Sequence, residues 1–152
     1  MHGMGSGAML AACREGAEEA AEVTGSRPQL VAITVLTSMS QDSLTEIGID
    51  SPIPVEADRL ARLARENGID GVVCSPQEAG AMRSVVGEDG LVVTPGVRPA
   101  GAALGDQTRV ATPSSAFKAG SSHIVVGRPI TGAENPVDAY EAIIAELCAM
   151  DD

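Results

Sequence analysis

With 152 residues, a formal charge of −11 and 44% hydrophobic side chains, the chain has enough apolar material for one packed domain and too much to stay disordered. Phe117 and Tyr140 are its only aromatic residues, which excludes base-stacking surfaces, and the acidic balance disfavours nucleic-acid backbones and anionic membranes. Three cysteines without paired spacing (Cys13, Cys74, Cys148) and two histidines (His2, His123) suggest neither a disulfide framework nor a metal centre, so a cytoplasmic setting is expected, with no metal.

The opening Met1-His2-Gly3-Met4-Gly5-Ser6-Gly7 is a glycine-rich loop running into a helix over residues 8–23. Such loops normally follow a strand, and here nothing precedes it; His2, near the terminus, is expected to be inert. Residues 30–36 (LVAITVL) are apolar without alternation, the habit of a strand buried on both faces. This longest clean apolar run is too short to cross a bilayer, and the opening lacks the pattern of a secretory signal. Residues 50–56 read as a solvated loop. Over residues 55–67, Leu60, Leu63 and Ala64 share one helical face while Arg59, Arg62, Arg65 and Glu66 look outward, and Gly68 ends the helix.

Residues 69–74 form a second apolar run, and Ser75-Pro76-Gln77-Glu78 supplies an N-cap, a proline at the first helical position and a glutamate to close a capping box. Arg83 is expected on the outward face of that helix. A third strand over residues 91–94 and a fourth over 123–126 follow, with Thr112-Pro113 and Asn135-Pro136 opening the helices after them. Regular strand–helix alternation defines an α/β fold with parallel strands and right-handed crossovers.

The strand ends carry the chemistry. In α/β folds the ligand sits at the C-terminal ends of the strands. Here these ends read Thr37-Ser38, Ser75, Pro95-Gly96-Val97-Arg98 and Gly127-Arg128. Glycine admits a ligand close to the backbone, and arginine forks onto phosphate oxygens. Each feature alone also suits an ordinary surface: a lone strand-end arginine is commonly solvated or ion-paired, and Cys74 suits a small buried hydrophobe.

Taken together, Thr34-Val35-Leu36-Thr37-Ser38-Met39, Thr94-Pro95-Gly96-Val97-Arg98-Pro99, Gly105-Asp106-Gln107-Thr108-Arg109-Val110, Thr112-Pro113 and Val125-Val126-Gly127-Arg128-Pro129-Ile130 strongly resemble the orotidine 5'-phosphate decarboxylase family. The opening His2 to Gly7 is similar to the loop after that family's fourth strand, and Asp70 to Ser75 to its sixth. Other phosphosugar barrel enzymes lack the Gly-Asp-Gln-x-Arg spacing. The resemblance implies an incomplete TIM (βα)8 barrel: residues 1–152 would be its C-terminal portion, from the end of unit 4 through unit 8. It also implies that Arg98, Gln107, Gly127 and Arg128 hold the substrate phosphate, and that Thr37, Ser38 and Pro95 contact the base. Arg109 matches the motif without an assigned role. The nucleotide substrate would be orotidine 5'-phosphate or its product UMP, no cofactor would be needed, and the partner would be a second copy, as in the family dimer, or a complementing N-terminal segment.

The family's reacting groups, an Asp and Lys network on its first three strands, have no match here, and the single lysine, Lys118, falls within a helix. The resemblance therefore implies a chain that carries the phosphate- and pyrimidine-binding half of a decarboxylase of pyrimidine biosynthesis and is inactive alone. The other reading is a non-catalytic nucleotide-binding half-barrel, or one part of a split enzyme.

Overall fold

The computed structural model describes residues 1–99 and 111–150. A 3₁₀ turn over Gly3–Gly5 leads into α1 (Ser6–Thr24), then β1 (Val31–Ile33), α2 (Gln41–Glu46), α3 (Ile53–Glu66) and β2 (Gly71–Val73). A second 3₁₀ turn (Pro76–Glu78) runs into α4 (Ala79–Val86), followed by β3 (Leu91–Thr94), α5 (Pro113–Lys118), β4 (His123–Ile124), α6 (Arg128–Thr131) and α7 (Pro136–Cys148). The regular ladders are shorter than the apolar runs that announce them. The short helices α2 and α6 come in addition to the expected alternation.

The four strands are parallel and lie in sequence order, β1-β2-β3-β4. Each crossover advances one position in the same direction. No strand order reverses, so the sheet winds as a barrel wall does and not as a doubly wound sheet about a switch point. Register alternates the faces. Ala32, Val72 and Val92 form one row, fully buried beneath the helices with Leu10, Leu44, Leu60, Ala61 and Met82. Ile33, Val73 and Val93 form the next row, on the opposite face, and are only half-buried. Both faces are apolar, as the unalternating runs require.

The opening residues are not a loose end. The Ile33 N–H donates to the Met1 carbonyl at 2.8 Å, the terminal ammonium reaches the Val31 carbonyl at 3.2 Å, and His2 pairs in parallel with Ile33. Met1 and His2 thus occupy the position of a strand beside β1, which explains the glycine-rich turn that follows.

Local signals set the helix starts. The Ser75 hydroxyl accepts from the Gln77 N–H and the Glu78 carboxylate accepts from the Ser75 N–H, closing the capping box. Thr112 and Asn135 cap α5 and α7 ahead of their prolines. Two expectations fail. Glu56 lies in the first turn of α3, not in a solvated loop. It is 2% exposed because the Ser51 hydroxyl and the Arg59 guanidinium, at 2.5 and 3.0 Å, satisfy its carboxylate. Arg83 does not point freely outward either. Its guanidinium donates to the carbonyls of Gly87, Glu88, Gly90 and Gly120, tying the turn after α4 to the end of α5.

Gly71 is required by close approach. A Cβ there would collide with the carbonyl oxygen, Cα and Cβ of Leu91 on β3. At this same end of the sheet, Arg27 pairs with both Asp70 oxygens at 3.0 and 3.1 Å and with Glu18 at 2.9 Å, while Asp70 also accepts from the Leu30 N–H at 2.7 Å. Burial pushes the Asp70 carboxyl upward, but the hydrogen bonds from Arg27 and Leu30 and the charges of Arg27 and Arg14 outweigh it and hold the group below its ordinary value. Arg59, the larger influence, likewise holds Glu56 low against the effect of burial, with help from Ser51.

Candidate functional site

β1 runs out into Thr34-Val35-Leu36-Thr37-Ser38 and β3 into Pro95-Gly96. These ends enclose a small pocket of about 80 Å³ lined by Ile33, Val35, Thr37, Ser38, Val73, Cys74 and Pro95, with Leu36 at its edge. Thr37, Ser38 and Pro95, the three residues expected to touch a base, therefore share one cavity. Thr37 is 8% exposed and Ser38 is open to solvent, so two hydroxyl-bearing residues share the lining with aliphatic ones. Cys74 is buried and belongs to that lining; the sequence marks it as a small hydrophobe, and its place at a strand end is the signal that could have put it in the site.

Pro95 and Gly96 turn the chain sharply at the end of β3. Gly96 has φ +78°, a conformation that glycine adopts without strain. Val97 then pairs with Ala111, and the Arg98 N–H donates to the Ala111 carbonyl at 2.9 Å, so residues 97–98 and 111 lie side by side. Arg98 is 7% exposed, with Nη1 on the Val97 carbonyl at 2.9 Å. Gln107 and Arg109 lie outside the described residues.

β4 lies next to β3, so Gly127 and Arg128 emerge from the strand end neighbouring that of Arg98. Gly127 is the N-cap of α6 and Arg128 its first residue. An added Cβ at Gly127 would meet nothing within 4 Å, and the Arg128 side chain is exposed. Two neighbouring strand ends thus carry one arginine each, Arg98 buried with its guanidinium on the Val97 carbonyl and Arg128 exposed beside Gly127. That donor set suits an anion with several oxygens. Lys118 ends α5, which returns from the site toward the start of β4, so it sits at the far end of the sheet.

Among the described residues no three His, Cys, Asp or Glu side chains group as metal ligands, and no helix is long and apolar enough to cross a membrane.

A single-sense parallel sheet in sequence order with helices packed on one face defines a segment of a (βα)8 barrel. The chain belongs to the orotidine 5'-phosphate decarboxylase / HUMPS family, whose model matches residues 1–143. It is 49% identical over 152 residues to an orotidine 5'-phosphate decarboxylase of Alkalilimnicola ehrlichii, and 52% identical over 149 residues to that of Halorhodospira halophila. These alignments cover 100% and 98% of this chain but 63% and 61% of those proteins. The crystal structure of orotidine 5'-phosphate decarboxylase from Lactobacillus acidophilus superposes with a TM-score of 0.80 at 41% identity, over 96% of this chain and 61% of that one. An uncharacterized conserved protein from Geobacillus kaustophilus superposes at 0.77 with 33% identity. The chain thus spans less than two thirds of the length of these relatives.

Proposed function

We propose that residues 1–152 form the C-terminal portion of an orotidine 5'-phosphate decarboxylase barrel and hold the nucleotide while it loses carbon dioxide to become UMP. Arg98, Gln107, Gly127 and Arg128 grip the phosphate, and Thr37, Ser38 and Pro95 seat the pyrimidine. The observation that carries this reading is the junction of the three base-contact residues in one pocket with an arginine-bearing rim on the two adjoining strand ends. Holding the phosphate fixes the base against the reacting groups, so binding energy remote from the scissile bond lowers the barrier. Lys118, at the opposite end of the sheet, is not placed to donate a proton to the pyrimidine. The proton donor therefore comes from outside these 152 residues, and this chain alone does not decarboxylate. The same position of Lys118 favours, as a second reading, one part of a split enzyme. Either way the protein works in the cytoplasm, as a dimer or with a complementing segment.

Titration with UMP or inorganic phosphate, followed by NMR, tests the site. Two or three charge-assisted contacts of about 1.5–3 kcal/mol each, less the cost of association, give a Kd on the order of millimolar. Arg128→Ala is expected to weaken binding tenfold or more, by roughly the 1.4 kcal/mol that one such contact exceeds. Arg62→Ala, on an exposed pair with Asp58, is expected to leave it unchanged. Equal effects of the two substitutions would reduce the rim to surface charge.

A further inference from the structure

β4 pairs with β3 through only two residues of regular ladder, yet it carries half of the anion rim. Backbone bonds flank this ladder, from the Ser122 N–H to the Val92 carbonyl and from the Val125 N–H to the Thr94 carbonyl, both at 2.9 Å, and side-chain hydroxyls add to the seam. Thr94 is fully buried at the end of β3, and its Oγ1 lies 2.9 Å from the Oγ of Ser121, itself 7% exposed. Thr94 Oγ1 also lies 3.4 Å from the His123 carbonyl, so Ser121 can donate to Thr94 while Thr94 donates onward. One residue later the Ser122 hydroxyl accepts from the Val92 N–H at 2.9 Å and donates to the Val92 carbonyl at 3.2 Å, beside the backbone bond that this carbonyl accepts from the Ser122 N–H. Thr94 stands four residues before Arg98, and Ser121 six before Gly127.

We infer that Thr94 and Ser121 are positioning residues: their buried hydroxyl pair sets the height of β4 against β3, and so the spacing between Arg98 and the Gly127–Arg128 backbone at which a phosphate is gripped. The inference rests on the phosphate reading above. The backbone bonds set the residue pairing, and the buried hydroxyl pair limits the smaller slides and tilts of so short a strand; a displacement of a fraction of a residue step, about 3.3 Å, changes the distance between the two strand-end arginines. Threonine fits the task because one hydroxyl can accept from Ser121 and donate to His123 while the methyl packs in the core.

The test measures the Kd for inorganic phosphate by NMR at a temperature where every variant is fully folded. Thr94→Val is expected to weaken binding about fivefold or more, the fold-change that corresponds to losing one net hydrogen bond. Thr94→Ser, which keeps the hydroxyl, restores it. Thr94→Val removes one partner and leaves the Ser121 hydroxyl buried and unpaired; the double variant Thr94→Val with Ser121→Ala removes both and keeps the fold accessible if the single variant unfolds. It is expected to bind as weakly as Thr94→Val. Asp70→Asn serves as the comparison, losing the Arg27 and Leu30 contacts at the start of β2, away from the β3–β4 seam, while keeping the wild-type Kd. Wild-type affinity in the folded Thr94→Val or double variant overturns the positioning role and leaves the phosphate site standing. Equal weakening by Asp70→Asn overturns it too, since any loss of stability would then suffice. Absence of phosphate binding by the wild type withdraws the phosphate reading and this inference with it.

Discussion

Ser6 is the only described residue other than glycine with a positive φ. Its angles, φ +76° and ψ +164°, fall in a region that side chains with a Cβ avoid. It occupies the turn between the strand position of Met1–His2 and α1, where the chain must reverse within a few residues. Such a conformation costs of order 1–3 kcal/mol, and glycine relieves it while losing some entropy on folding. Ser6→Gly is therefore expected to stabilise the protein by about 1 kcal/mol, read as a higher urea midpoint with an unchanged m-value. An unchanged or lower midpoint would mean that the serine is held there without strain. Single side chains are also where the sequence is least legible. Asn135, Thr112 and Ser75 can be read from it because a cap and its N–H partner lie two or three residues apart. Arg83 and Glu56 cannot: whether an arginine on a helix is solvated or clips a carbonyl 37 residues away depends on which element packs beside it.

Among the elements, strand identity follows from unbroken β-branched runs, and strand-end placement of Thr37, Ser38, Pro95 and Arg98 follows from strand identity. That much of the site is legible in the order of residues alone. The pairing of Met1–His2 with β1 is not, because two residues carry no periodicity. The link between α1 and the sheet is equally hidden. It runs through Arg27 and Asp70, which are 43 residues apart. Gly71 is the sharpest test of the sheet itself. Its missing side chain lets β2 lie against Leu91, so Gly71→Ala must push the strands apart or twist one of them. A loss of about 1–3 kcal/mol or more is expected in denaturant unfolding, and a neutral result would mean that β2 and β3 yield freely. The Asp70 and Glu56 carboxyls add a pH dependence with a defined sign. Both are held below their ordinary values, roughly 3.9 and 4.3. Their contribution is complete above those values and fades as pH falls through the lowered folded-state ones. Asp70→Asn should cost about 1 kcal/mol near neutrality, and its gap from wild type should narrow as pH falls through the lowered folded-state value. A gap that stays constant with pH would assign the loss to packing.

At the scale of the whole molecule, apolar side chains stay accessible on the sheet face and along α7. The sheet face of Ile33, Val73 and Val93 is half-buried, Val125 is 49% exposed, and Val137, Tyr140 and Ile144 form a stripe along α7 at 62, 54 and 40% exposure. The stripe follows helical spacing of three and four residues, the pattern of a face meant to pack. β4 ends the described sheet with an unpaired edge. Edges of this kind template pairing with another chain, and contiguous apolar patches on soluble proteins mark contact surfaces. The net charge of −11 opposes association, and salt weakens that opposition, with a screening length of about 10 Å at 0.1 M. The isolated chain is therefore expected to self-associate at micromolar concentration, and more strongly at 0.5 M than at 0.05 M sodium chloride. Sedimentation velocity reads this directly. A double substitution on α7, Val137→Ser with Ile144→Ser, leaves the buried Ile143 untouched and should shift the population toward monomer. A compact monomer at all salt concentrations would mean that these surfaces tolerate water as they stand, and the expectation of a partner for this face would fall.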